Sequence, residues 1–118
     1  VLDSVDREGM MKFIGRLVST PSYGGDETAA QRVVASKLES LGFDVDTWMI
    51  DFDELGRHPD YSMSIPRDEG MGVVGAWGEG EASLMLCGHV DTVAPGELGN
   101  WSTPPLEATI RDGSVMEK

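Results

Sequence analysis

The sequence predicts an α/β layered domain in which helices flank a mixed sheet. Three observations carry this expectation. Two stretches with helical apolar spacing come first, strand-like segments follow, and the apolar run Leu84-Met85-Leu86-Cys87 breaks off at Gly88-His89-Val90-Asp91. A run without polar interruption suits a strand buried on both faces. Polar residues directly after it fall at the carboxyl end of a strand, where open α/β sheets place their chemistry.

The first helix is expected from about Asp6 to Val18. Met10, Met11, Phe13, Ile14, Leu17 and Val18 recur at spacings of three and four and give one apolar face. Ser19-Thr20-Pro21-Ser22 stops it, because a proline disfavours helical geometry in the residue before it. After Tyr23-Gly24-Gly25 a second helix starts near Asp26, capped by Asp26 itself or by a Thr28–Gln31 capping box. Ala29, Ala30, Val33, Val34, Leu38 and Leu41 form its buried stripe, and Gly42 supplies a left-handed stop. Two glycines before a helix also suit a phosphate cradle. Their spacing fits neither the dinucleotide-binding pattern nor the P-loop, so a plain turn is the reading kept.

Phe43 to Ile50 alternates as a strand with one wet face. From Asp51 to Gly70 the periodicity fails in a polar excursion of about 20 residues, a length uncommon in compact domains unless functional or mobile. His58, beside Pro59 in this excursion, reads as a solvent-facing loop residue with no role. Met71 to Trp77 is a strand, Gly78 to Glu81 a tight turn, and Ser83 to Gly88 the central strand. The short turn makes these last two an antiparallel hairpin, and hence the sheet mixed. Thr92 to Pro105 is irregular, with Trp101 packing as a loop residue. Leu106 to Ile110 is a short strand turning at Arg111-Asp112-Gly113.

The totals bound the function. A chain of 118 residues allows one modest domain, and 40% apolar with 25% charged residues is globular composition. No apolar run approaches the ~20 residues of a spanning helix, and no basic segment leads into an apolar one at the start. A net charge of −12 argues against nucleic acid and anionic membrane as partners. The single cysteine, Cys87, cannot form an internal disulfide, which fits a reducing, cytoplasmic setting. The first residue is Val, and Asp112 to Lys118 reads as a turn and a strand barely begun, so a longer natural chain is expected.

The candidate site is His89 and Asp91. In extended backbone, residues two apart share a side, so imidazole and carboxylate would stand together. Neutral imidazole ligates zinc and related ions, and a neighbouring carboxylate holds the ring in the needed tautomer. A His-x-Asp triplet by itself also fits a surface or hydrogen-bonded structural role. Cys87 is open to two readings as well: a small core residue of the apolar run, which its place favours, or a soft ligand beside His89.

Leu86-Cys87-Gly88-His89-Val90-Asp91-Thr92-Val93-Ala94-Pro95-Gly96, with Trp101-Ser102-Thr103-Pro104-Pro105-Leu106 and Ile110-Arg111-Asp112-Gly113, resembles the acetylornithine deacetylase, succinyl-diaminopimelate desuccinylase and aminoacylase family of two-metal hydrolases. Thr20-Pro21-Ser22, Gly25-Asp26-Glu27 and Leu41-Gly42-Phe43 fit the same family's amino-terminal pattern. The resemblance implies that residues 1–118 are the amino-terminal part of a catalytic α/β sandwich with a mixed sheet, without its dimerisation domain. It implies hydrolysis of amide bonds in N-acyl amino acids or short peptides with two zinc or cobalt ions, and a possible homodimer for the full-length protein. His89 would be a metal ligand and Asp91 the acid that orients it. The chain departs from the pattern in Ala94, between Val93 and Pro95, and ends before the Gly-rich segment that carries the bridging aspartate. One histidine cannot hold a metal pair, so the fragment alone is expected to be inactive. The rival readings are a non-catalytic relative serving as a binding or interaction module, and a hydrolase using Cys87 as nucleophile with His89.

Overall fold

The computed structural model describes residues 4–81, 84–111 and 114–116. The chain forms two compact units, Ser22–Val93 and a second made of Val1–Pro21 with Ala94–Lys118.

The first unit is built on helix α2 (Thr28–Ser40) and two strands, β1 (Asp44–Met49) and β2 (Met71–Ala76), which pair antiparallel with Asp44 opposite Ala76 and Met49 opposite Met71. The helix packs on this pair. Gly75 makes the approach possible, since a Cβ there would stand 3.0 Å from Leu38 Cδ1 and 3.2 Å from Phe43 Cδ1. Across the strands Gly72 lies under the indole of its register partner Trp48, which fills the space a side chain would take. Ala30, Val33 and Ala35 are the buried apolar residues of α2. Of the expected stripe, Ala29 and Leu41 are exposed instead.

Helix α2 leaves through Gly42 at φ 83°, as the left-handed stop requires. Its start differs from expectation: the cap is Glu27, with no side-chain cap bond, and Thr28 is already helical and buried. Glu27 is not of the short polar type that caps through its side chain, and its carboxylate instead pairs with Arg67. Gly24 and Gly25, at φ 72° and 96°, make the plain turn. The excursion contains one short helix, α3 (Phe52–Leu55), capped by the Asp51 carboxylate accepting from Glu54 N–H at 2.9 Å.

The expected central strand does not form. Leu84 to Gly88 has no strand structure, and Leu84, Met85 and Leu86 are 85%, 87% and 88% exposed. Strand β2 takes β1 as its partner and not this run, so the expected hairpin is replaced by a longer-range pairing. Without a neighbouring strand to satisfy its backbone, an apolar run has nothing to hold it extended in a sheet. Ser83 lies outside the described residues.

In the second unit, helix α1 (Arg7–Val18) begins at Asp6, whose side chain accepts from Gly9 N–H at 2.8 Å. Gly15 lets the chain before β3 come close, with a Cβ there 3.3 Å from that of Ala108. Strands β3 (Thr109–Arg111) and β4 (Ser114–Met116) pair antiparallel. The expected turn residues Asp112 and Gly113 lie outside the described residues. Trp101 packs as a loop residue, its Nε1 donating to the Pro95 carbonyl at 2.8 Å. Both strand pairs among the described residues are antiparallel, and α and β elements are combined as expected.

Replacing Gly75 by Val would push a side chain into Leu38 and Phe43. We expect a loss of about 1–3 kcal/mol, the range for overpacking, measured by urea unfolding.

Candidate functional site

The segment that carries His89 and Asp91 is pinned just downstream. Thr92 N–H donates to the Ser22 carbonyl at 2.9 Å, and Ser22 Oγ lies 3.3 Å from Thr92 Oγ1. Ser22 is 3% exposed, so the tie is made inside the unit. Upstream of it, His89 Nδ1 stands 2.9 Å from Asp91 Oδ1 and 3.2 Å from the Asp91 carbonyl oxygen. The two residues meet as expected, although the backbone between them is not a strand. Their side chains are 82% and 54% exposed, so the contact adds little stability and matters for orientation. With Nδ1 directed at two oxygens, the neutral ring carries its proton there and presents Nε2 as the lone-pair nitrogen.

This pair borders a cleft of about 380 Å³ that Glu27, Phe52, Tyr61, Met63 and Arg67 also line. Arg67 is the ordered cation of the cleft. Its Nε and Nη2 donate to Glu27 Oε2 and Oε1 at 3.2 and 3.1 Å, and its Nη1 donates to the Ile65 carbonyl at 3.1 Å. Hydrogen bonding to Glu27 pushes the guanidinium pKa above its ordinary value. Partial burial opposes this, and the charges of Glu27, Asp91 and the Tyr61 side chain add to the rise. The guanidinium is thus a permanent charge.

Sequence reasoning did not assign Glu27, Arg67 or the Ser22–Thr92 tie. Arg67 was visible only as one charge among many in the excursion, and its partner is 40 residues away. Cys87, expected in the core, is exposed because the run it belongs to is not in a sheet. His58 is exposed as expected, its Nδ1 accepting from Asp60 N–H at 3.2 Å.

One imidazole backed by a carboxylate fits one ligand of a zinc or cobalt ion. Among the described residues no cluster of three or more His, Cys, Asp or Glu is placed to hold an ion. The donor set therefore suits a contribution to a metal site and not a complete one. Among the described residues, too, no helix is long and apolar enough to cross a membrane.

No family profile matches the chain. Individual relatives do. The chain is 29% identical over 107 residues to succinyl-diaminopimelate desuccinylase 2 of Shewanella loihica, which takes in 90% of this chain and 24% of that enzyme. It is 32% identical over 115 residues to the N-formyl-4-amino-5-aminomethyl-2-methylpyrimidine deformylase of Halalkalibacterium halodurans, covering 93% of this chain and again 24% of the relative. The chain is thus similar over nine-tenths of its length to a desuccinylase and to a deformylase. The desuccinylase is of a kind named in the family that the His89–Asp91 motif resembles, and the chain spans about a quarter of the length of these two relatives.

Replacing Thr92 by the near-isosteric Val keeps the backbone bond and removes the hydroxyl contact. Leaving the buried Ser22 hydroxyl unpaired should cost about 1 kcal/mol, read as a lowered thermal midpoint.

Proposed function

We propose that this chain forms the amino-terminal part of the catalytic domain of a metal-dependent hydrolase, a layered α/β domain with a mixed sheet. The hydrolase releases acyl groups from N-acyl amino acids or short peptides. The observation that carries the reading is the His89–Asp91 pair, 2.9 Å apart and beside a cleft, in a chain homologous over nine-tenths of its length to a desuccinylase and a deformylase.

In this reading His89 would be one of the residues holding a zinc or cobalt ion, through Nε2. Asp91 would accept a hydrogen bond from Nδ1–H, which fixes the tautomer and raises the basicity of the ligating nitrogen. A bound pair of such ions supplies polarisation of the scissile carbonyl and activation of water at neutral pH. Further ligands, and the carboxylate that moves the proton, come from outside these residues. The chain alone is therefore inactive, and the full protein acts in the cytoplasm, in the manner of the family as a homodimer.

A second reading, a non-catalytic binding module, has one observation in its favour. Leu84, Met85 and Leu86 form an exposed apolar run of the kind that recruits partners. The two readings part on catalysis.

The test is hydrolysis of N-formyl and N-succinyl amino compounds by the full-length protein with added zinc or cobalt. His89→Ala should abolish turnover, and Asp91→Asn should reduce it by about 10–100-fold, the cost of removing a ligand's orienting partner. Turnover indifferent to both chelation and His89→Ala would sink the metal-hydrolase reading. No turnover on any substrate, with a stable partner captured through the apolar run, would favour the binding module.

A further inference from the structure

The polar excursion returns to the start of α2 and is fastened there twice. The first fastening is the Arg67–Glu27 pair, bidentate, with the other guanidinium edge held by the Ile65 carbonyl. The second is a close backbone approach: a Cβ on Gly25 would stand 2.7 Å from the Pro66 carbonyl oxygen and 3.0 Å from Arg67 Cγ. The side chains of the pair are 26% and 16% exposed, against 74% and 79% for the surface pair Lys12–Glu8. Shielded from water and fixed in a fork, such a pair holds geometry that a surface pair does not.

Arg67 is poorly suited to capture a substrate anion itself. Three of its five N–H groups are committed to Glu27 and Ile65. Glu27 also cancels its charge, and Asp91 adds a further negative charge to the same cleft. What the fastening does control is the stretch just before it. Tyr61, Ser62, Met63 and Ser64 line the cleft together with His89 and Asp91, and Phe52 and Ile50 add apolar surface.

We propose that the Glu27–Arg67 pair is a positioning clamp that holds residues 61–64 as one wall of the cleft, and that an uncharged acyl or side-chain group of the substrate packs against this wall. The proposal rests on the hydrolase reading for its substrate and on geometry alone for the clamp. Arg67 and Glu27 act through the wall and touch no reacting atom.

The test uses the full-length protein with its metal, comparing wild type with Arg67→Met, Arg67→Lys, Glu27→Gln and the exchanged double variant Glu27→Arg/Arg67→Glu. Two readouts are taken: amide hydrogen exchange over 51–70, and KM against kcat for N-acyl amino compounds with uncharged and with carboxylate-bearing acyl groups. Loss of the pair should speed exchange across 51–70 and raise KM for the uncharged acyl substrates by about tenfold, within the range that misplacing a substrate-positioning element can cost. The kcat should change by less than threefold. Arg67→Lys, which keeps the charge without the fork, should behave like Arg67→Met, and the exchanged pair should recover most of both losses. Faster exchange with unchanged KM overturns the proposal, as does a higher KM without faster exchange. Wild-type protein that cleaves no N-acyl compound sinks the functional reading and the substrate half of this proposal with it. Exchange then decides the clamp alone, and unchanged exchange in Arg67→Met and Glu27→Gln overturns that half too.

Discussion

The antiparallel register between β1 and β2 is the constraint on which the Ser22–Val93 unit depends. Its last pair is Met49 with Met71, and the ladder continues one bond further, from Ile50 N–H to the Gly70 carbonyl at 2.8 Å. That bond shuts the excursion at its base. Loop-closure entropy rises slowly with length, so so long a connection is tolerated once the register is set. The same strands support α2 through Leu38 at Gly75, and α2 presents Glu27 to the returning loop. Among the described residues, only Ala30, Val33 and Ala35 are buried apolar ones. With so small a core, polar ties such as Arg67–Glu27 and Ser22–Thr92 carry more of the arrangement than they would in a larger one.

The regular elements were legible in the sequence because their signals are local. The apolar spacing of α1 and α2, the alternation of β1 and the φ > 0 demand at Gly42 each need only a handful of neighbouring residues. Pairing is not local. Gly78 to Glu81 reads as a hairpin turn, and that reading gave β2 to the run that follows it, whereas the partner is β1, on the far side of the excursion. The start of α2 failed for a related reason. Asp26, Thr28 and Gln31 are good capping chemistry, but Thr28 is taken into the helix, and the Arg67 that meets Glu27 at its start lies 40 residues downstream and leaves no mark near the helix.

The candidate site shows the same division. An imidazole and a carboxylate two residues apart announce themselves, and the structure brings His89 and Asp91 together. The reason offered by strand geometry is not the one that operates. The segment is located by its tie to Ser22, 70 residues earlier, and the ring turns its Nδ1 to the Asp91 Oδ1 and the Asp91 backbone carbonyl. The rest of the cleft, above all Tyr61 to Ser64 and Arg67, belongs to the stretch with no periodicity at all. Only its length stood out there, as uncommon in a compact domain unless functional or mobile.

The apolar run before His89 decides how precise the site can be. Leu84, Met85 and Leu86 are more than four-fifths exposed, while fully burying such side chains contributes roughly 1.5–3 kcal/mol each. The sequence thus carries a demand for burial that the described residues of its unit do not meet. Downstream, Thr92 fixes the segment; upstream, Gly88 stands in open space. A side chain held from one side only is less well fixed than one held from both, and a catalytic geometry tolerates only about half an ångström of error. A cover over the run would hold the segment from its other side as well. In the hydrolase reading it is the rest of the layered domain, which turns His89 into a rigid ligand at a strand end; in the binding reading it is a partner, and the His89–Asp91 pair is then a surface contact and nothing more.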